Sequence, residues 1–581
     1  MINELSAVVA ACEAQFGRSQ SRATSSDRPP KKNKYLKNVG FELLDTWLSL
    51  DDNNLFNAIK LQSKGKKLKP IIFKPKKHQQ KAINLSKKFF KKNKRGKIIM
   101  PCGTGKSLTA FWITKTLNSK KIIIAVPSLA LLQQTLKVWT REFFNNNIDA
   151  DWFCVCSDTT VKENQDEMVS LAADLGIKVD TDPRKIRNFL RKKTKKIKIV
   201  FTTYQSGKAT SIGSKGFKFD FGIMDEAHKT VGSNKKLMAY LLNDKNIKIE
   251  KRLFMTATER VFRGDKNNYV SMDNTNIYGE IIYELSFKDA INSNPPIISD
   301  YRVLTFEIYE RDILYLYESN KFLEVKKDLK NITARELATA IALRKAINDL
   351  NIKNAISFHR SIERADNFRK QQDLISKIYP QYKKINSFHV RGDMPTSQRA
   401  TQMKLFELNK GLMTNARCLT EGVDLPAIDC ICFTDPKKSK IDIVQAAGRA
   451  LRLSKNKKYG YILIPIYIPD NQSPSDAAKD QGFEEVSNTV RALGDSDKRI
   501  IEHLRIISLG KKPRTGSPID GITNIKILEK VDSEKFNESI KLKIWDRIAF
   551  FNFDNYENAK IRVKEAGIYT TTQYRVWRDR P

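Results

Sequence analysis

No apolar run in this chain is long enough to cross a bilayer. The longest, near Ile122 to Leu132 and Tyr461 to Ile468, fall short of the roughly 20 residues that a spanning helix needs, and the first is interrupted by Pro127. No membrane association is expected. No secretory leader is read ahead of the first domain, so the expectation is a soluble, intracellular protein that is not secreted: cytoplasmic or nucleoid-associated, or nuclear or in a viral factory if the source is eukaryotic or viral. Cysteine is scarce, seven in 581 residues, and the odd number sits mostly inside apolar strand-like runs. That usage fits a reducing compartment and gives disulfides no part in the fold. Cys154 with Cys156 and Cys430 with Cys432 alternate with apolar residues as strand neighbours do, and no second Cys or His pair stands at zinc spacing.

Acidic side chains are also few, 65 against 104 lysines and arginines, which leaves a net charge of +39. Lysine runs recur at Lys64 to Lys69, Lys74 to Lys77, Lys87 to Lys97 and Arg191 to Lys198. A codon bias towards lysine would inflate this count without function, whereas a polyphosphate ligand would reward it through counterion release. The motifs below favour the second account.

What the chain does have is organised around GKIIMPCGTGKS, Gly96 to Ser107. A short apolar strand breaks into small residues, and a helical pattern follows at once. Gly103, Thr104 and Gly105 let backbone N–H groups close around phosphates, and the helix N-terminus adds a favourable dipole. Lys106 would reach the β- and γ-phosphates, and the Ser107 hydroxyl would ligate Mg²⁺. Met100 stands where the usual pattern has a further Gly. Just upstream, Gln79 in FKPKKHQQKAINL offers the donor and acceptor that an adenine edge requires, with Gln80 as its solvent-facing neighbour.

Strand and helix signals then alternate: KKIIIAVPSLALLQQTLKVW, IKIVFTTYQS, FDFGIMDEAHK. This rhythm predicts a parallel, doubly wound sheet whose ligands gather at the carboxyl ends of its strands. Pro127, Ser128, Thr202 and Thr203 would sit on that rim, either as contacts to a nucleic-acid backbone or as ordinary turn and capping residues. Asp225 and Glu226 end an apolar strand. There, one carboxylate can hold Mg²⁺ and its neighbour can orient or deprotonate an attacking water.

GTGKS, the Asp225-Glu226-Ala227-His228 tetrad and Thr256-Ala257-Thr258 resemble motifs I, II and III of superfamily-two helicases. The flavour is that of the restriction-type branch, which holds the motor subunits of type I, type III and type ISP restriction systems. The resemblance runs from about Phe73 to Leu504, and Met100 is compatible with this branch. It implies Lys106 and Ser107 for nucleotide and Mg²⁺, Asp225 for Mg²⁺, Glu226 as catalytic base, and His228, Thr256 and Thr258 in coupling hydrolysis to movement. In the second half, TNARCLTEGVDLPAIDCICFTDP is similar to motif V and QAAGRALR to motif VI. Arg449 and Arg452, three apart on one predicted helical face next to Gln445, would supply arginines at the γ-phosphate. By the same analogy Gly422 and Asp424 lie at the motif V turn, touching the nucleotide sugar or the tracked strand. Ser357, His359, Arg391 and Thr414 are expected phosphate-backbone contacts.

Two tempting patterns are set aside. Asn294-Pro295-Pro296 resembles a methyltransferase core, but Ile297 follows instead of an aromatic and no Gly-rich cofactor loop accompanies it. Glu324-Val325-Lys326 has a nuclease-like spacing in a charged helical stretch with no placed upstream Asp.

The expected architecture is α/β, with two tandem RecA-like P-loop domains of parallel sheet and small, mainly helical N- and C-terminal extensions. The expected divisions are a partly disordered extension at 1–65, an ATP-binding lobe at 66–290, a second lobe at 291–470 and a helical accessory region at 471–581. The expected function is an ATP- and Mg²⁺-dependent DNA helicase or translocase acting on duplex DNA. RNA is the alternative substrate. A motor acting beside a separate nuclease or methyltransferase is an alternative role, and a binding scaffold with a dead ATPase is disfavoured because no catalytic residue is missing.

Overall fold

The structure is a computed structural model that describes residues 73–156, 179–233, 237–261, 269–309, 334–378, 384–391, 394, 396–415, 428–434, 440–454, 457, 459–468, 489–490, 492–494, 497, 499–500 and 502. The expected 1–65 extension, Gly422, Asp424 and nearly all of the C-terminal region lie outside them.

The first lobe begins with helix α1 (Lys77–Phe89) and strand β1 (Arg95–Ile99), followed by α2 (Lys106–Thr116), β2 (Lys121–Val126), α3 (Leu129–Asn145) and β3 (Ala150–Val155). Then come α4 (Pro183–Arg191), β4 (Ile197–Thr203), α5 (Gly207–Gly213), β5 (Lys218–Met224), β6 (Gly232–Ser233), β7 (Lys248–Thr256), β8 (Tyr269–Val270) and β9 (Glu280–Glu284). Seven of these strands form one sheet in the order β3-β4-β2-β5-β7-β1-β9, and every pairing in it is parallel. Parallel neighbours need crossovers of a dozen or more residues, which cover both faces with helices. That is why β2 reads KIIIAV and is buried along all but its first residue.

The second lobe repeats the plan. Strands β10 (Asp300–Tyr309), β11 (Asn354–Phe358), β12 (Ser387–Val390), β13 (Gly411–Asn415), β14 (Cys430–Phe433) and β15 (Tyr459–Ile468) pair in parallel in the order β10-β15-β14-β11-β13-β12. Helices α6 (Ala334–Asp349), α7 (Ile362–Ile378), α8 (Thr396–Asn409) and α9 (Lys440–Ala450) flank them. Cys154, Cys430 and Cys432 are buried strand residues, as their alternation implied. These are two tandem RecA-like α/β lobes. One apolar cluster runs through both, from Ile98, Phe111 and Trp139 to Tyr301, Ile356, Val444 and Ile462.

The topology fixes the site. β5, β7 and β1 are neighbours in the sheet, so the segments leaving their carboxyl ends emerge side by side. Asp225 and Glu226 follow β5, Thr256 closes β7, and the phosphate loop follows β1. Backbone bonds lock this edge together: Met100 N–H donates to the Thr256 carbonyl at 2.9 Å, and Asp225 N–H to that of Ala125 at 2.9 Å.

Candidate active site

The phosphate loop turns on two glycines with left-handed backbone, Gly103 at φ +82° and Gly105 at φ +83°. Side chains rarely tolerate that conformation, and at Gly105 a Cβ would also stand 2.5 Å from Gln79 Nε2. Gln79 is buried behind the loop. Its Oε1 accepts from Lys76 N–H at 2.8 Å, and its Nε2 donates to the carbonyls of Thr104 and Gly105 at 3.3 Å each. His78 Nε2 meets the Thr104 carbonyl at 3.0 Å, and Thr104 Oγ1 donates to the Pro101 carbonyl at 2.7 Å. Gln79, expected at an adenine edge, thus stands here as a brace of the phosphate loop.

Lys106 and Ser107 open α2. Lys106 Nζ lies 3.6 Å from Glu226 Oε1 and 3.5 Å from the Met100 carbonyl. Burial alone would depress this ammonium's pKa; the Glu226 and Asp225 carboxylates outweigh it and raise the pKa. Asp225 is buried, and its Oδ1 accepts the Glu226 N–H at 3.0 Å. Burial, with the neighbouring Glu226 charge, pushes the Asp225 carboxyl up to about 6 against the opposing pull of Lys106. Two crowded carboxylates facing one ammonium, with a hydroxyl at the helix start, form an oxygen-rich donor set that suits Mg²⁺ shared with phosphates.

Glu226 has φ +46° and ψ +48°, a left-handed conformation from which the chain enters a 3₁₀ turn, Ala227–Thr230. That turn sends His228 inward, where its Nδ1 lies 2.9 Å from Thr256 Oγ1 and 3.4 Å from Glu226 Oε2. Thr256 Oγ1 also faces the Thr258 carbonyl at 2.8 Å and the Thr258 N–H at 3.2 Å. Motif II and motif III are therefore hydrogen-bonded to one another. Tyr204, for which the sequence offered no signal beyond an apolar strand end, donates its hydroxyl to the Asp225 carbonyl at 2.7 Å.

The second lobe meets this edge through α9. A Cβ on Gly448 would stand 2.7 Å from Cys102 Cβ, so the helix touches the phosphate loop where only glycine fits. Arg449 beside it is buried, and the aliphatic stem of Arg452 passes within 3.3 Å of a Cβ built on Gly103. The regular part of α9 ends at Ala450, and Arg452 follows in a bend, its N–H still bonded to the Arg449 carbonyl at 3.4 Å. Both arginines lie near enough to Cys102 of the phosphate loop to act on it electrostatically. Gln445 lies within α9.

The expected nucleic-acid contacts divide. Pro127 directly follows β2 and is buried. Thr202 and Thr203 end β4, but their hydroxyls are engaged inside the lobe: Thr202 Oγ1 with Thr210 Oγ1 at 2.8 Å, Thr203 Oγ1 with Ser206 Oγ at 3.1 Å. In this conformation both hydroxyls face the start of α5, Thr210 within the helix and Ser206 just before it. Likewise Ser357 Oγ meets His359 Nε2 at 2.9 Å, His359 Nδ1 meets Thr434 Oγ1 at 2.8 Å, and Thr414 Oγ1 meets His389 Nδ1 at 2.9 Å. Ser357, His359 and Thr414 are buried in this polar network, whereas Arg391 is exposed beyond β12.

Two RecA-like lobes with a phosphate loop on one and arginines presented by the other define a P-loop NTPase built like a nucleic-acid motor. The pattern of the family "Type III restriction enzyme, res subunit" matches residues 72–260, and that of the helicase conserved C-terminal domain matches 338–454. This pair of domains and this fold together support a superfamily-two helicase of the restriction type. It is 24% identical over 433 residues to "Probable helicase A859L" of African swine fever virus, an alignment that takes in 74% of this chain and 44% of that protein. The solved ATP-dependent type ISP restriction-modification enzyme LlaBIII bound to DNA matches at TM-score 0.68 and 26% identity, over 82% of this chain and 33% of that one. A nuclease-deletion mutant of the type ISP enzyme LlaGI, in complex with a DNA substrate mimic, matches at TM-score 0.54 and 26% identity, over 81% and 31%. The chain thus spans less than half the length of these relatives.

Proposed function

We propose that this chain is an ATP-driven motor that moves along DNA, closing and reopening two lobes around each ATP. The observation that carries the reading is the contact between the phosphate loop and the end of α9, which gathers Lys106, Asp225 and Glu226 from one lobe and Arg449 and Arg452 from the other. In this reading the loop and Lys106 bind the phosphates, Ser107 and Asp225 hold Mg²⁺, and Glu226 takes the proton of the attacking water. Mg²⁺ held there would supply charge neutralisation to the bound phosphates. The two arginines stabilise the charge that develops as the γ-phosphoryl group leaves, so hydrolysis requires both lobes to be in place.

DNA is favoured over RNA because both matching type ISP enzymes are described with DNA or a DNA mimic. Their description as restriction-modification enzymes favours, as a second reading, a motor working beside a nuclease or methyltransferase. The test is ATP hydrolysis by the purified chain, alone and with duplex DNA, single-stranded DNA or RNA. Lys106→Ala should retain DNA binding while turnover falls by at least about a hundredfold, the scale of one lost transition-state contact. Stimulation by RNA alone would overturn the DNA assignment, and equal loss of binding and turnover in Lys106→Ala would mean that the fold had failed.

A further inference from the structure

Arg452 stands two residues beyond the regular part of α9, in a last turn whose N–H groups still reach back to the helix, Leu451 to the Ala447 carbonyl at 3.2 Å and Arg452 to that of Arg449 at 3.4 Å. Its direction depends on the bend, and the bend is held through its backbone carbonyls. The last carbonyls of a helix lack intrahelical partners and must find others when they are buried. Here Lys457 Nζ donates to the carbonyls of Ala450 and Arg452, the latter at 3.2 Å, and to the carbonyl of Ile428 at 2.5 Å. From the other side, Ser299 N–H donates to the Leu451 carbonyl at 2.8 Å and Ser299 Oγ to that of Arg452 at 3.3 Å. Three successive carbonyls are thus all engaged. Gly460 makes room, since a Cβ there would stand 2.3 Å from the Ala450 carbonyl oxygen.

We propose that Lys457 is a positioning residue that aims Arg452 at the phosphate loop by clamping the bend after α9 to the start of β14. Its three donors match the three carbonyls, and an ammonium near a helix C-terminus also meets the negative end of the dipole. The clamp reaches beyond α9, because Ile428 lies two residues before β14. Lys457 therefore ties the arginine-bearing bend to the sheet. This proposal rests on the ATPase reading of the site.

The experiment compares full-length wild type, Lys457→Met, Lys457→Arg, Arg452→Ala and the Lys457→Met/Arg452→Ala double variant. It measures kcat and KM for ATP at saturating duplex DNA, corrected for folded protein. In Lys457→Met, kcat should fall by about tenfold to a hundredfold, the scale of a misplaced catalytic group, with KM nearly unchanged. The double variant should be no slower than Arg452→Ala alone, because the lysine acts through that arginine. Lys457→Arg, which keeps charge and donors, should recover part of the loss. Unchanged kcat in Lys457→Met, or losses that multiply in the double variant, would overturn the proposal. If Arg452→Ala alone hydrolyses ATP normally, the reading of the site itself fails. Should Lys457→Met not fold, Ser299→Ala loosens the same carbonyl from the other side and should lower kcat in the same direction; normal kcat there would count against the clamp.

Discussion

Glu226 stands in a backbone conformation that costs a non-glycine residue on the order of 1–3 kcal/mol. The surroundings hold it there: its N–H is fixed by Asp225, and the turn that follows is anchored by His228 on Thr256. The carboxylate is thereby kept beside Lys106, where it can act on a water at a bound γ-phosphate. Glu226→Gln keeps the size and removes the proton acceptor. The variant should bind ATP as the wild type does and lose about 10²- to 10⁴-fold in kcat, the usual range for a general base, so that ATP accumulates on the protein. Filter retention of labelled ATP with a single-turnover time course would check this. Normal hydrolysis would remove Glu226 from its role. Lys106 and Asp225 were legible from the sequence because strand, loop and acid are local patterns. The brace that Gln79 supplies was not, since it depends on α1 lying behind the loop.

Between elements, the informative contact joins the turn after β5 to the end of β7. The His228–Thr256 hydrogen bond links the strand end that carries the acids to the strand end beside the phosphate loop, so a change at one can move the other. Thr256→Val keeps the shape and removes the hydroxyl. The hydroxyl's contacts to His228 and Thr258 are lost together, and at about 1 kcal/mol for the bond that joins the two motifs basal ATP hydrolysis should stay within about fivefold of wild type. DNA-stimulated movement per ATP should fall more steeply, as measured by displacement of a triplex-forming strand. Equal losses in both would mean that the contact serves the chemistry itself. Helix ends show why sequence reading stopped short at this scale. α4 and α9 both finish with their carbonyls taken by a lysine further along the chain: Lys198 Nζ reaches the carbonyls of Phe189 at 2.9 Å, Leu190 at 2.6 Å and Lys192, as Lys457 does beyond α9. Burial lowers the pKa of both ammonium groups, that of Lys457 to about 8. The period of QAAGRALR continues smoothly through Arg452, so no local signal marks the stop at Ala450. The partners that end the helix, Lys457, Ser299 and Gly460, come from other segments.

At the scale of the whole molecule, the lysine excess has to be sorted by where the folds of the sheets put it. Some of it is internal: Lys97 in β1 pairs with Glu259 and the Met272 carbonyl, and Lys198 is enclosed at the end of α4. The run Lys192, Lys193, Lys195 and Lys196 is exposed, but it immediately precedes β4. In an all-parallel sheet every strand starts on one edge and ends on the other. Those lysines therefore lie on the starting edge, while Asp225, Thr256 and the phosphate loop lie on the finishing edge. A strand of seven residues separates the two by about 23 Å. That is well beyond the Debye length of about 8 Å at physiological salt, so charges on the starting edge contribute little to a duplex lying across the finishing edge. Replacing all four lysines by glutamine should leave the log–log slope of DNA affinity against salt changed by less than one contact, about 0.9 for duplex DNA. If instead the slope falls by about 0.9 for each lysine removed, the duplex runs along the starting edge of the first lobe, and the carboxyl-edge track assumed for this motor is wrong.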